Sequence, residues 1–193
     1  MALHEHEFDL PDEDATRRLG AALAAALRTH LPAIAAEGLV VGLSGELGAG
    51  KTALTRATLR ALDVSGPVKS PTFTLLEPYA LSSINFYHFD FYRFSNPAEF
   101  SAAGFRELFG PAAVVGGSMG RANVCFVEWP ERATGTLPTI DLSLSLSMQE
   151  GDDAARRCRA QAASTLGSAC LESTISSFEA AAAGSSARQP PGR

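Results

Sequence analysis

Leu19, Leu23, Leu27 and Leu31 recur every four residues through an alanine-rich stretch, the signature of one buried helix face. Leu10-Pro11-Asp12-Glu13-Asp14 supplies an acidic start, and Arg28 and His30 lie near the end, both favourable to the helix dipole. The pattern then changes. Leu39 to Leu43 is a continuous apolar run after Gly38 and predicts a buried strand. Gly45 to Gly50 is a glycine-rich loop, and Thr52 to Leu62 reads as a helix ended by Ser65-Gly66-Pro67. Phe73 to Tyr79 and Ile84 to Tyr92 are rich in aromatic and β-branched residues and predict strands. Asn96-Pro97-Ala98-Glu99 carries an N-cap, an early proline and a glutamate three after the cap, predicting a helix to Phe109. Gly110 to Asn123 reads as a flexible loop.

Val124 to Val127 is a second buried strand. Ile140, Leu142, Leu144 and Leu146 alternate with Asp141, Ser143, Ser145 and Ser147, as in a half-exposed strand. A further strand is expected over Arg156 to Ala162 and a last helix over Leu166 to Ala182. Strands interleaved with helices, with no internal repeat or linker, imply one α/β domain over residues 1–182. Residues 183–193, rich in Ser, Pro, Gly and Arg, are expected to be a disordered tail.

Composition narrows the function classes. The 193 residues suffice for one full core, and 46% hydrophobic with 19% charged residues excludes fibrous and disordered classes. A net charge of -5 disfavours holding nucleic acid on the chain's own surface, since phosphates need clustered Lys and Arg. Apolar runs are too short to span a bilayer, and Met1-Ala2-Leu3-His4-Glu5 has no signal-peptide character. Cys125, Cys158 and Cys170 match no zinc or redox spacing. These features predict a cytoplasmic protein with no membrane partner. Of 16 basic residues only Lys51 and Lys69 are lysines. Base composition of the coding DNA explains most of that skew; against it, a retained lysine is a candidate for a place where a compact ammonium is needed.

Lys51 sits in Gly45-Glu46-Leu47-Gly48-Ala49-Gly50-Lys51-Thr52, which matches the phosphate-binding pattern G-x-x-x-x-G-K-[ST]. Chance gives this match in on the order of 1% of chains this long, and the flanking strand and helix lower that further. Glycines let successive N–H groups converge on phosphate oxygens, and the helix start adds its positive end. Lys51 then reaches the β- and γ-phosphates and the Thr52 hydroxyl is placed to ligate Mg²⁺. The fold expected is a P-loop NTPase-like sheet with flanking helices.

Such a site also needs an acid at a strand end. Glu128 follows the apolar run, and Asp90 follows Phe86-Tyr87-His88-Phe89; the sequence leaves the choice open. His88 reads as a hydrogen-bonded structural residue, Arg93 as a phosphate ligand or a partner of Asp90, and Trp129 as packing under the site or covering a partner surface, with core packing favoured. The absence of an Asn-Lys-x-Asp element points to ATP over GTP.

Four ordered blocks together are similar to the bacterial TsaE (YjeE) family: the phosphate loop, Val68-Lys69-Ser70-Pro71-Thr72-Phe73-Thr74, His88-Phe89-Asp90-Phe91-Tyr92-Arg93, and Glu128-Trp129-Pro130. The resemblance, over roughly Phe8 to Ala162, implies an ATPase assisting threonylcarbamoyladenosine modification of tRNA. It implies TsaB and TsaD as partners, with tRNA met only indirectly. It assigns Lys51 to the phosphates, Thr52 and Glu128 to Mg²⁺, Asp90 to catalysis or the attacking water, and Glu13 to the nucleotide's neighbourhood. Ser70-Pro71-Thr72 takes the place of a switch-like loop, with Thr72 acting in catalysis. Departures are a long Gly110–Asn123 connection, Phe91 where leucine is commoner, and Glu46 where aspartate is. A small-molecule kinase on the same loop and an assembly module with negligible turnover are the competing readings.

Overall fold

The computed structural model describes residues 4–115, 118–149 and 151–186. Its centre is a seven-stranded sheet in the order β1-β9-β8-β2-β7-β4-β3. These are β1 (His4–Leu10), β2 (Leu39–Ser44), β3 (Leu76–Ala80), β4 (Ile84–Asp90), β7 (Ala122–Glu128), β8 (Leu142–Gln149) and β9 (Asp152–Ala162). β8, β2, β7 and β4 run parallel, while β1, β9 and β3 are antiparallel to their neighbours. β2 and β7 lie at the middle and are buried along almost their whole length, as their unbroken apolar runs require. β5 (Val114–Val115) and β6 (Ser118–Met119) form a separate small hairpin. It lies inside Gly110–Asn123, expected to be a flexible loop, and residues 116–117 fall outside the described residues.

One face of the sheet is covered by α1 (Glu13–Thr29), α3 (Lys51–Ala61) and α5 (Thr165–Ser186). Leu19, Leu23 and Leu27 of α1 and Leu54 and Leu59 of α3 pack there on Leu39, Val41, Phe86, Val124 and Phe126. Asp12 caps α1, its Oδ1 accepting from the Ala15 N–H at 2.6 Å. The helix does not run on to Leu31. It ends at Thr29, and α2 (Leu31–Glu37) starts afresh with a proline in its first turn, bent 75° from α1. α5 extends past Ala182 to Ser186, and residues 187–193 of the expected tail lie outside the described residues. Among the described residues no single helix is long and apolar enough to cross a membrane.

The opposite face carries an aromatic cluster: Phe89, Phe91, Phe94, Phe100 and Phe109, with Val40, Cys125 and Val127. Phe91 and Phe94 stack at 4.6 Å and Phe89 and Phe109 at 5.0 Å. The helix expected over 96–109 is two pieces, α4 (Ala98–Ala102) and a 3₁₀ turn (Phe105–Phe109). Gly104 at φ 72° breaks it, while Glu99 still accepts from the Asn96 N–H as the capping pattern required.

The strand expected over Phe73 to Tyr79 begins only at Leu76. Residues 71–75 form a turn closed by Leu75 N–H to the Pro71 carbonyl at 2.7 Å, with Leu75 at φ 65°. β1, with its charged and histidine-rich sequence, was not expected. It is an edge strand zipped to β9 over its whole length, with Phe8 and Leu10 turned into the core.

Candidate functional site

The strand-to-helix turn between β2 and α3 takes the shape its glycines demand. Gly45, Gly48 and Gly50 have φ of 134°, 83° and 105°. At Gly45 a Cβ would lie 2.2 Å from the Leu146 carbonyl oxygen of β8, so only glycine fits. Arg156 of β9 reaches the Gly48 carbonyl at 3.4 Å from the other side. The loop is therefore walled by the last hairpin of the sheet.

Lys51 is the first residue of α3 and is 4% exposed. Its ammonium donates to the carbonyls of Gly45 (2.6 Å) and Glu46 (2.9 Å) and lies 3.9 Å from the centre of the Trp129 ring. Burial lowers its pKa, opposed by the charges of Glu128, Glu131 and Asp90.

Period-2 alternation settles where the acids point. In β4, Ile84 and Phe86 face α1 and α3, and so do His88 and Asp90; in β7, Val124 and Phe126 do so, with Glu128. Glu128 Oε1 accepts from the Thr52 hydroxyl at 2.7 Å and from His88 Nε2 at 2.8 Å. Asp90 Oδ2 accepts from the hydroxyls of Ser70 (2.9 Å) and Thr72 (2.6 Å), and its Oδ1 from the Tyr92 N–H at 3.0 Å. Phe89 and Phe91, both fully buried on the other face, fix the backbone on either side of Asp90.

These groups enclose a cavity of about 250 Å³. Leu47, Gly48, Gly50, Lys51, Thr52, Thr72, Asp90 and Glu128 line it, with Tyr92 and Trp129. Gly45 and Glu46 contribute the carbonyls that hold Lys51, and Ala49 is packed in the core. Glu13 lies elsewhere. It pairs with Arg17 at 3.2 Å and lines a second cavity of about 490 Å³ between α1 and α3, which touches the first at Ala53.

One sequence expectation needs correction. Arg93 does not pair with Asp90; its guanidinium stacks 4.1 Å over the ring of Phe73, a residue 82% exposed. Trp129 packs against the edge of the aromatic cluster and also lines the site, as packing beneath a site requires. A left-handed backbone (φ 58°) lays its half-buried ring over Lys51, with Tyr92 5.1 Å away. The signal in the sequence was its place directly after the acid at the end of β7, followed by Pro130.

The family model for the threonylcarbamoyl adenosine biosynthesis protein TsaE matches residues 10–158. The chain belongs to the TsaE family. A TsaE relative from Haemophilus influenzae, described as a tRNA threonylcarbamoyladenosine biosynthesis protein, is 36% identical over 138 residues, 71% of this chain and 78% of its own length. The Synechocystis TsaE is 37% identical over 126 residues, 65% of this chain and 71% of its own. The crystal structure of Bacillus subtilis YdiB superposes with a TM-score of 0.66 at 26% identity, covering 91% of this chain and 96% of that one. The resemblance to TsaE read from the four motif blocks, and the single-domain P-loop α/β fold, are both borne out. TsaE proteins belong to tRNA threonylcarbamoyladenosine biosynthesis, and the chain is placed in that process.

Proposed function

We propose that this chain binds and hydrolyses ATP with Mg²⁺, as the accessory ATPase of tRNA threonylcarbamoyladenosine modification, acting with TsaB and TsaD. The observation that carries the reading is the meeting of Lys51, Thr52, Asp90 and Glu128 around one cavity at the head of α3. The donor set suits the cation. A hydroxyl and a carboxylate are hard oxygen ligands, and Mg²⁺ takes one or two of these plus phosphate oxygens and water. Glu128 Oε2 carries no hydrogen bond among the described residues and is free for that role. Once bound between Thr52, Glu128 and the phosphates, Mg²⁺ would supply charge neutralisation at the phosphate oxygens.

The rest is done by this chain's own residues. Phosphates replace the Gly45 and Glu46 carbonyls as partners of Lys51, and the left-handed glycines present N–H groups to them. Asp90 tethers Ser70 and Thr72 beside the phosphate end, which makes residues 70–72 the segment that senses the γ-phosphate and orients the attacking water. The base and ribose extend towards the second cavity, where Glu13 and Thr16 stand. The tRNA is met through the partners, in keeping with the net charge of -5.

The experiment is phosphate release by the purified chain, alone and with TsaB and TsaD. Slow release alone and clear stimulation by the pair are expected, since an ordered switch or a partner's cation is worth about 10³–10⁵ in rate. Equal rates in both conditions overturn the accessory-ATPase reading.

A further inference from the structure

His88 is fully buried in the middle of β4 and belongs to none of the roles above. Its Nε2 gives one hydrogen bond, to Glu128 Oε1, while its Nδ1 is buried with no hydrogen-bond partner among the described residues. A histidine kept only for packing finds partners for both nitrogens or gives way to an apolar side chain. This one leaves a nitrogen unsatisfied and spends its single bond on the acid.

Which oxygen it takes is informative. Thr52 and His88 both donate to Oε1, which leaves Oε2 to the cavity. A carboxylate only accepts, so Nε2 carries the proton of this bond. The Thr52 hydroxyl can donate its one proton to Oε1 and still offer a lone pair to a cation. His88 is the second side-chain donor on that carboxylate, and its ring has no other hydrogen-bond partner among the described residues.

We propose that His88 is the positioning residue of the cation-binding acid: with Thr52 it holds Oε1 of Glu128, so that Oε2 is left for the cation. The inference rests on the nucleotide reading above. Hydrogen-bonded partners behind metal ligands are worth about 10–100-fold in metal affinity when removed.

The test is calorimetric titration of ADP at a series of Mg²⁺ concentrations, for the wild type and for His88→Gln, His88→Asn and His88→Leu. Glutamine places its N–H₂ near the position of Nε2, whereas asparagine places it near Nδ1 and falls short of Glu128. Expected is a Mg²⁺ midpoint raised about 10–100-fold in the Asn and Leu variants and close to wild type in Gln, with metal-free ADP affinity unchanged in all. Should Leu fail to fold, the Gln and Asn pair decides alone. A wild-type midpoint in Asn, equal losses in Gln and Asn, or a parallel loss of metal-free ADP affinity overturns the proposal. A wild type whose ADP binding ignores Mg²⁺ would instead overturn the reading it rests on.

Discussion

Asp90 and Glu128 are register partners across the β4–β7 pairing, so two carboxylates stand side by side at the ends of adjacent parallel strands, each 3% exposed. They take separate donors: Ser70, Thr72 and the Tyr92 N–H serve Asp90, while Thr52 and His88 serve Glu128. Glu128→Ala should therefore weaken Mg²⁺-dependent nucleotide binding. Asp90→Ala should still bind Mg²⁺-ATP and hydrolyse it about 10²–10⁴-fold more slowly, the range for losing a positioned catalytic group. Binding and turnover measured on both variants decide it; loss of Mg²⁺-ATP binding in Asp90→Ala with retention in Glu128→Ala would exchange the two roles.

Lys51→Ala should lose ATP turnover while keeping the fold, because the ammonium contacts only loop carbonyls and the Trp129 ring. Circular dichroism and phosphate release check the two halves, and normal turnover would contradict the phosphate-loop assignment.

The same lysine sets a pH dependence. Burial depresses its pKa below the ordinary 10.5. Phosphates need the charged form, so ATP affinity should fall as pH rises through the depressed value, before free lysine would titrate. For stability the sign is the reverse. The unfolded chain binds this proton more tightly, so Lys51 costs stability at neutral pH, and the cost is relieved as pH rises through the folded value towards 10.5. Calorimetry over alkaline pH, with Lys51→Ala as the control that lacks this one contribution, measures both.

Trp129 is the one tryptophan, and its ring lies 3.9 Å from a cation that nucleotide phosphates would draw away. Its emission should change when ADP is added and should start from a different value in Lys51→Ala. An unchanged spectrum at saturating ADP, with binding confirmed calorimetrically, would show that Lys51 keeps its present place.

Thr72 donates to Asp90 at 2.6 Å from a turn with no strand or helix to hold it. Thr72→Ala should reduce the partner-stimulated rate more than it reduces ATP affinity. A proportional fall in both would make Thr72 a binding residue only.

The parts of this structure that were legible in the sequence are those where one local rule dominates. The apolar runs of β2 and β7, the Asp12 cap and the glycine-lysine spacing each fix a backbone state unaided. What was not legible depends on distant partners. β1 carries little strand signal because Glu5, Glu7 and Asp9 face outward; it is a strand because β9 pairs with it along its whole length and Phe8 and Leu10 reach the core, with Arg157 and Arg159 meeting the outward acids. The leucine ladder of α1 carries through Leu31 by period, yet Pro32 starts a new helix. The turn of the Trp129 ring over Lys51 was not legible, because a left-handed backbone at a bulky residue has no local signature. That Asp90 and Glu128 stand side by side follows from the strand register, which no single segment contains.

The wall of β8 and β9 around the phosphate loop has a consequence for biosynthesis. Gly45 rests on the Leu146 carbonyl, and Gly48 is met by Arg156, 108 residues further along the chain. A ribosome delivers the glycine-lysine segment early, flanked by β2 and, later, by β7 on one side only. The other wall is missing until β9, which ends at Ala162, has left the exit tunnel. The glycine-lysine loop of the nascent chain therefore takes its mature walls only late in synthesis.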